Sequence, residues 1–203
     1  MEWLRYGAEH YPNRICINEY TYNDIYRGVL HVARNLAPLE ASRVAILSDN
    51  SVTMAMYVLA AILVHKEVLL LNVHLKPNEI ANQLDQLGVT AVLHSKERRS
   101  QLPDAVETQV SNLVAPIVSD SVENQLSHSV GSEAANSIVT IEFETLESIL
   151  SDLAVEDSFD WTFADADIAA IMNTSATTGQ FKSVPLRWGQ IKAHVQASQE
   201  VLG

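Results

Sequence analysis

Hydrophobic and polar positions along this chain follow two alternating periods, and each change of period marks the end of one element and the start of the next. Ile25, Val29, Val32 and Leu36 recur at intervals of three and four, the spacing of one face of an α-helix. Thr21, followed three residues later by Asp24, offers the reciprocal bonds of a capping box at its start, and Pro38 closes it. Residues 43–47, Arg-Val-Ala-Ile-Leu, read as a short strand, and Asp49, Asn50 and Ser51 offer a cap for the helix that follows. That helix carries the longest apolar run, residues 54–64; at about eleven residues it is too short for a bilayer, which needs roughly 20, so a buried helix is predicted. Residues 68–73 are apolar without alternation, as in a strand covered on both faces. Pro77, the spaced Ile80, Leu84 and Leu87, and Gly88 predict another helix with its start and stop, and residues 89–93 return as a strand.

From Ser95 to Trp161 the periodicity fades. Residues 111–137 are rich in Ser, Asn and acidic side chains; a strand is expected at 114–118 and a mobile loop at 119–137. A strand near 138–143, a short helix near 146–153 and a strand over 167–172 follow. Ile191, Val195, Ser198, Val201 and Leu202 share one helical face, so the chain is expected to end in an amphipathic helix. Repeated strand-helix-strand units of this size predict an α/β fold: a mainly parallel sheet flanked by helices, in one domain.

Composition narrows the function classes. With 47% hydrophobic residues among 203, the chain can bury a substantial core. Its 13 Lys and Arg stand against 25 Asp and Glu, a formal charge of -12, which argues against a nucleic-acid partner because backbone phosphates are bound by concentrated Lys and Arg. The short basic cluster at Lys96, Arg98 and Arg99 reads as a solvated loop. A single Cys16 between Ile15 and Ile17 reads as a buried strand residue, and no internal disulfide can form. Met1-Glu-Trp-Leu lacks the basic segment and apolar run of a secretory leader, so a cytoplasmic location is expected.

The search for catalytic groups excludes several chemistries. The histidines at 10, 31, 65, 74, 94, 128 and 194 include no pair at i,i+3 or i,i+4, so no metal site of the helical type is expected, and each reads as a surface or satisfied histidine. No G-x-S-x-G nucleophile turn occurs. Asp165 and Asp167 read as the solvated start of a strand. One stretch differs in kind. After the apolar run to Met172 come Asn173, Thr174, Ser175, Ala176, Thr177, Thr178, Gly179, Gln180, Phe181 and Lys182. Four hydroxyls can donate hydrogen bonds, the small residues leave backbone N–H groups uncovered, and the lysine is a mobile cation: together, chemistry suited to a polyphosphate.

The segment Thr174-Ser-Ala-Thr-Thr-Gly-Gln-Phe-Lys-Ser183 resembles the signature loop of the adenylate-forming superfamily, usually T-S-G-T-T-G-x-P-K-G, and the strand before it is similar to the one that leads into that loop. Ala176, Phe181 and Ser183 stand where glycine, proline and glycine are usual. At a positive-φ position the alanine methyl costs about 1 kcal/mol and crowds the phosphate. The likeness extends through Trp3-Leu4, Ala8, Pro12, Arg14 and Thr21-Tyr22, and through Arg43 to Ser51. Leu71-Asn72, Leu75 to Ile80 and Lys182-Ser-Val-Pro185 look most like the o-succinylbenzoate-CoA ligases of menaquinone synthesis.

The resemblance implies an ATP-dependent acid-CoA ligase that forms an acyl-adenylate and then a thioester. ATP, Mg2+ and coenzyme A would serve with a small carboxylic acid. Thr174, Ser175, Ala176, Thr177, Thr178 and Gly179 would line the β- and γ-phosphates and Lys182 would offset their charge. It further implies that residues 1–203 are the N-terminal portion of an adenylation domain. The rest of the large domain and the small C-terminal domain with its catalytic lysine would lie beyond Gly203, so that this chain alone would be inactive. Another acyl- or aryl-CoA ligase, or a non-catalytic domain with a degenerate phosphate loop, is the alternative.

Overall fold

The computed structural model describes residues 1–103, 138–151, 156–174 and 181–202. Helix α1 (Glu2–His10) leads to a small antiparallel hairpin, β1 (Ile15–Ile17) with β2 (Tyr20–Thr21), turned at Asn18, whose φ of 50° an asparagine accepts better than most residues. Helix α2 (Tyr22–Leu36) starts as its sequence dictates: Thr21 N donates to Asp24 Oδ2 (2.9 Å) and Asp24 N donates to Thr21 Oγ1 (3.2 Å). Strand β3 (Arg43–Leu47) then passes to α3 (Val52–Leu63), where Ser51 rather than Asp49 supplies the cap, Met54 N donating to Ser51 Oγ at 3.0 Å. The chain continues through β4 (Glu67–Leu70), α4 (Pro77–Gln86), β5 (Ala91–His94) and a 3₁₀ turn at Lys96–Gln101. Beyond residue 137 come β6 (Val139–Glu142), α5 (Leu146–Ser151), β7 (Ile168–Thr174), β8 (Lys182–Arg187) and α6 (Trp188–Leu202).

Six strands form one sheet in the order β6-β5-β3-β4-β7-β8. All neighbours run parallel except β7 and β8, which are antiparallel. The predicted α/β architecture, a mainly parallel sheet flanked by helices, is the one observed. In β3, Val44 and Ile46 pack into a core with α1, α2, α3 and α5, while Ala45 and Leu47 face the opposite way into a second core with Ile80 and Leu84 of α4. Burial on both faces is why the central strands read as unbroken apolar runs. Each fully buried side chain such as Leu63, Met56 or Leu69 contributes about 1.5–3 kcal/mol relative to exposure.

Several expectations are corrected. The strand predicted over 68–73 stops at Leu70, because Asn72 Oδ1 accepts from His74 N (2.9 Å) and turns the backbone out of the ladder. Cys16 is only half-buried and lies in the separate hairpin, beside an exposed Ile15; burial raises its thiol pKa, the opposite of activation. The basic cluster is solvated as expected, with Lys96 and Arg99 exposed, but it forms a 3₁₀ turn in place of a loop, and its Arg98 donates from Nε to Asp49 Oδ2 at 2.8 Å. The reading of Asp165 and Asp167 as the solvated start of a strand holds, both being exposed just before β7, with Asp165 accepting from Lys192 Nζ (2.8 Å) and Asp167 from Ala164 N (2.8 Å). In α6, Ile191 packs on the core but Val195 is exposed. The expectations for 114–118 and 119–137 lie outside the described residues.

Two of the histidines are core residues. His94 is buried at the end of β5, its Nδ1 at 3.0 Å from Ser95 O. His31 is buried on α2, with Nε2 at 3.0 Å from Glu144 Oε2; Asn35 Nδ2 and Ser148 Oγ also donate to that carboxylate, at 2.9 and 3.2 Å. Glu144 N in turn donates to the hydroxyl of the buried Tyr57 (2.9 Å), so this knot ties α2 and α3 to the segment between β6 and α5. No described helix is long and apolar enough to cross a membrane.

A candidate phosphate site at the carboxyl ends of the strands

Helix α3 leaves β3 toward one face of the sheet and α4 leaves β4 toward the other. Where successive crossovers part in this way, the carboxyl ends of the parallel strands open into a crevice, the usual place for a ligand in such sheets. Here the crevice is a cleft of about 380 Å³. It is lined by Ser48, Asp49 and Asn50 after β3, by Leu71 and Asn72 after β4, and by Met172 and Asn173 of β7.

The residues singled out in the sequence attach to the same end of the sheet. Thr174 is the last residue of β7 and Lys182 the first of β8, and the two are partners across the antiparallel ladder. Eight positions apart in sequence, they are brought side by side as the two feet of one hairpin connection. Ser175, Ala176, Thr177, Thr178 and Gly179 lie outside the described residues, and with them the backbone angle at 176. Lys182 is exposed on a strand whose only half-buried residue is Leu186.

One step further into the hairpin is a set of polar contacts that the sequence did not announce. Asn173 and Ser183 are cross-strand partners, and Ser183 Oγ donates to Asn173 Oδ1 at 2.7 Å. The amide Nδ2 of Asn173 donates to Oε1 of Gln83, a side chain on α4 that is 2% exposed. Ile171, two residues before Asn173, packs with Ile80 and Leu84 of the same helix, so the alternation of the strand carries Asn173 onto the α4 side. A polar residue closing the apolar run Ile-Ala-Ala-Ile-Met was the available signal for Asn173; Gln83, set among apolar neighbours on the inner face of α4, carried a weaker one.

On the other wall, Asp49 accepts from Nε and Nη2 of the Arg98 guanidinium, one bond to each carboxylate oxygen. Those hydrogen bonds hold its carboxyl below the usual range. Nothing local could have joined these two residues, which are 49 positions apart. Among the described residues no three His, Cys, Asp or Glu side chains are grouped to hold a metal ion.

Comparison with known proteins agrees with this geometry. The family described as AMP-binding enzyme matches residues 4–202. The 2-succinylbenzoate--CoA ligase of Lactococcus lactis subsp. lactis (strain IL1403) is 38% identical over 205 residues, covering all of this chain and 37% of that protein. The protein of the same name from Staphylococcus aureus (strain Newman) is 27% identical over 206 residues, covering 99% of this chain and 40% of its own length. The chain thus spans well under half of these relatives. Among solved structures, the O-succinylbenzoate Coenzyme A Synthetase (MenE) of Bacillus subtilis in complex with AMP superposes with a TM-score of 0.68 at 22% identity, over 99% of this chain and 46% of that one. The N-terminal subdomain of Klebsiella oxytoca NpsA superposes with a TM-score of 0.61 at 15% identity, over 92% of this chain and 40% of that one.

Proposed function

This chain belongs to the AMP-binding enzyme family, and on that premise we propose that it is part of an ATP-dependent acid-CoA ligase whose acid is o-succinylbenzoate. The observation that carries the reading is the 38% identity along the whole chain to a 2-succinylbenzoate--CoA ligase. The position of the Thr174–Lys182 connection, at the carboxyl end of the sheet beside an open cleft, supports it. Solved complexes of the Bacillus subtilis protein with ATP and magnesium ion and with the acyl-adenylate intermediate OSB-AMP support ATP and magnesium as what the reaction uses and an acyl-adenylate as its intermediate. A place in menaquinone synthesis and a cytoplasmic location belong to the same proposal.

In the reaction a carboxylate oxygen of the acid attacks the α-phosphorus of ATP, and the bond from that phosphorus to the bridging oxygen breaks to release pyrophosphate. The coenzyme A thiol, losing its proton, then attacks the acyl carbon and AMP departs. For this chain the work is at the leaving group. Negative charge accumulates on the β- and γ-phosphates as the bond breaks, and Lys182 with the hydroxyls of Thr174, Ser175, Thr177 and Thr178 offsets it. The ammonium of Lys182 acts as a point charge, at the foot of a loop that a β-ladder fixes on both sides.

The test is release of pyrophosphate by the full-length protein given ATP, magnesium and o-succinylbenzoate, and of AMP on adding coenzyme A. Turnover with o-succinylbenzoate in preference to benzoate and fatty acids is the expected result. Preference for one of the other acids would retain the ligase and replace its substrate; no pyrophosphate with any acid would remove the proposal.

A further inference from the structure

We infer that Ser183, Asn173 and Gln83 form a clasp that positions the candidate phosphate loop, so that the serine at 183, where related loops carry glycine, is a working part of this protein. The inference rests on the reading of residues 174–182 as a triphosphate loop.

The argument starts from the ladder. Asn173 precedes Thr174 and Ser183 follows Lys182, so the two clasp residues lie immediately outside the two feet of the loop. Partners in an antiparallel ladder present their side chains on one face, about 4.5–5.5 Å apart at Cβ, which suits a serine-to-asparagine hydrogen bond; the observed separation is 2.7 Å. Glycine has no hydroxyl and could not make it. Alone, the pair would be an exposed cross-strand contact of small consequence. Its third member changes that, because Gln83 is buried on α4 and receives the other end of the Asn173 amide.

The two-sidedness of the strand separates the Ser183 hydroxyl from the lysine, while Asn173 also borders the cleft. Lys182 and Ser183 are successive residues of β8, so their side chains leave opposite faces. Lys182 shares its face with Val184, whose cross-strand partner Met172 is likewise exposed, while Ser183 and Asn173 are on the face that meets α4. The clasp therefore grips the ladder on the α4 side, while Lys182 stands on the other face. It fixes the separation and twist of the loop's feet before any phosphate arrives, which lowers the ordering cost on binding. Gln83, Asn173 and Ser183 are positioning residues.

The experiment uses the full-length protein and steady-state pyrophosphate release, with ATP and the acid varied separately. Ser183→Ala is expected to lower kcat/KM for ATP by about three- to tenfold, the range of one neutral hydrogen bond, with the KM for the acid unchanged. Ser183→Thr, which keeps a hydroxyl at the same place, should recover most of the loss. In a double-mutant cycle, Ser183→Ala should add little on an Asn173→Ala background, because the contact it removes is already lost there, whereas Asn173→Ala alone also strands the buried Gln83. A merely structural role would lower thermal stability without separating ATP from acid. The clasp is overturned if Ser183→Ala matches the unaltered protein, or if the alanine and threonine variants are equally impaired. Lys182→Ala, run alongside, distinguishes the levels: loss of ATP use with Lys182→Ala but not with Ser183→Ala rejects the clasp alone, whereas no effect from either rejects the phosphate loop as well.

Discussion

Lys182 is the residue on which the proposed chemistry leans most. A charge-assisted contact to phosphate is worth roughly 1.5–3 kcal/mol, so Lys182→Ala in the full-length protein should reduce kcat/KM for ATP by about 10- to 100-fold, with a much smaller effect on the acid. Unchanged ATP kinetics would return this lysine to an ordinary exposed strand position. Ala176 poses the opposite question. If a glycine is usual there because the backbone takes positive φ or approaches an anion closely, Ala176→Gly should tighten ATP binding by about 1 kcal/mol. Added flexibility opposes that gain, since a looser loop loses more entropy on ordering. Calorimetric titration with ATP decides: weaker binding by the glycine variant would place Ala176 at an ordinary negative φ.

At the scale of elements, two helix ends show the same closing bonds built from different residues. After α4, Gly88 has φ of 60°, with Gly88 N donating to Asp85 O and Val89 N to Leu84 O; after α3, His65 has φ of 56°, with His65 N donating to Ile62 O and Lys66 N to Ala61 O. A Cβ at Gly88 would meet nothing within 4 Å, so Gly88→Ala isolates the conformational cost. A loss of about 1 kcal/mol in urea unfolding is expected. The His31–Glu144 knot gives a pH test. The hydrogen bond with His31 is the first cause that holds the Glu144 carboxyl below its ordinary range. A depressed folded-state value stabilises the fold fully above the unfolded value of about 4.3, and this contribution disappears as pH falls through the folded value. Urea midpoints should therefore drop on acidification below about pH 4. Glu144→Gln, which cannot ionise, should be less stable near neutrality by about 1.5 kcal/mol and flatter in the acid range; an unaltered acid slope would assign it to other carboxylates.

At the scale of the whole molecule, the chain covers 37% of its Lactococcus relative, and the 203-residue chain by itself is expected not to form the acyl-adenylate. Pyrophosphate release by it at about 1 per second or faster, an ordinary enzymatic rate, would show that it carries a complete site. Helices α2, α3 and α4, their starts and the central strands were legible in the sequence because each is decided over a few residues: Thr21 with Asp24, Pro77 with Gly88, the apolar run of 43–47; α1 was not read. The hydroxyl-rich segment and its lysine stood out for the same reason, as residue types concentrated in nine consecutive positions, and the phosphate role given to them is a proposal. What the sequence could not supply was the arrangement of pieces far apart. Strand β8 has Ser183, Val184 and Pro185 exposed and little apolar alternation, so only its pairing with β7 makes it a strand. Arg98 reaches Asp49, Asn173 reaches Gln83 and His31 reaches Glu144 across 49, 90 and 113 positions. Those partners were set by the order in which the crossovers lay down the sheet. Local spacing records which face a side chain takes, while the residue it meets there depends on which strand or helix the rest of the chain has brought alongside.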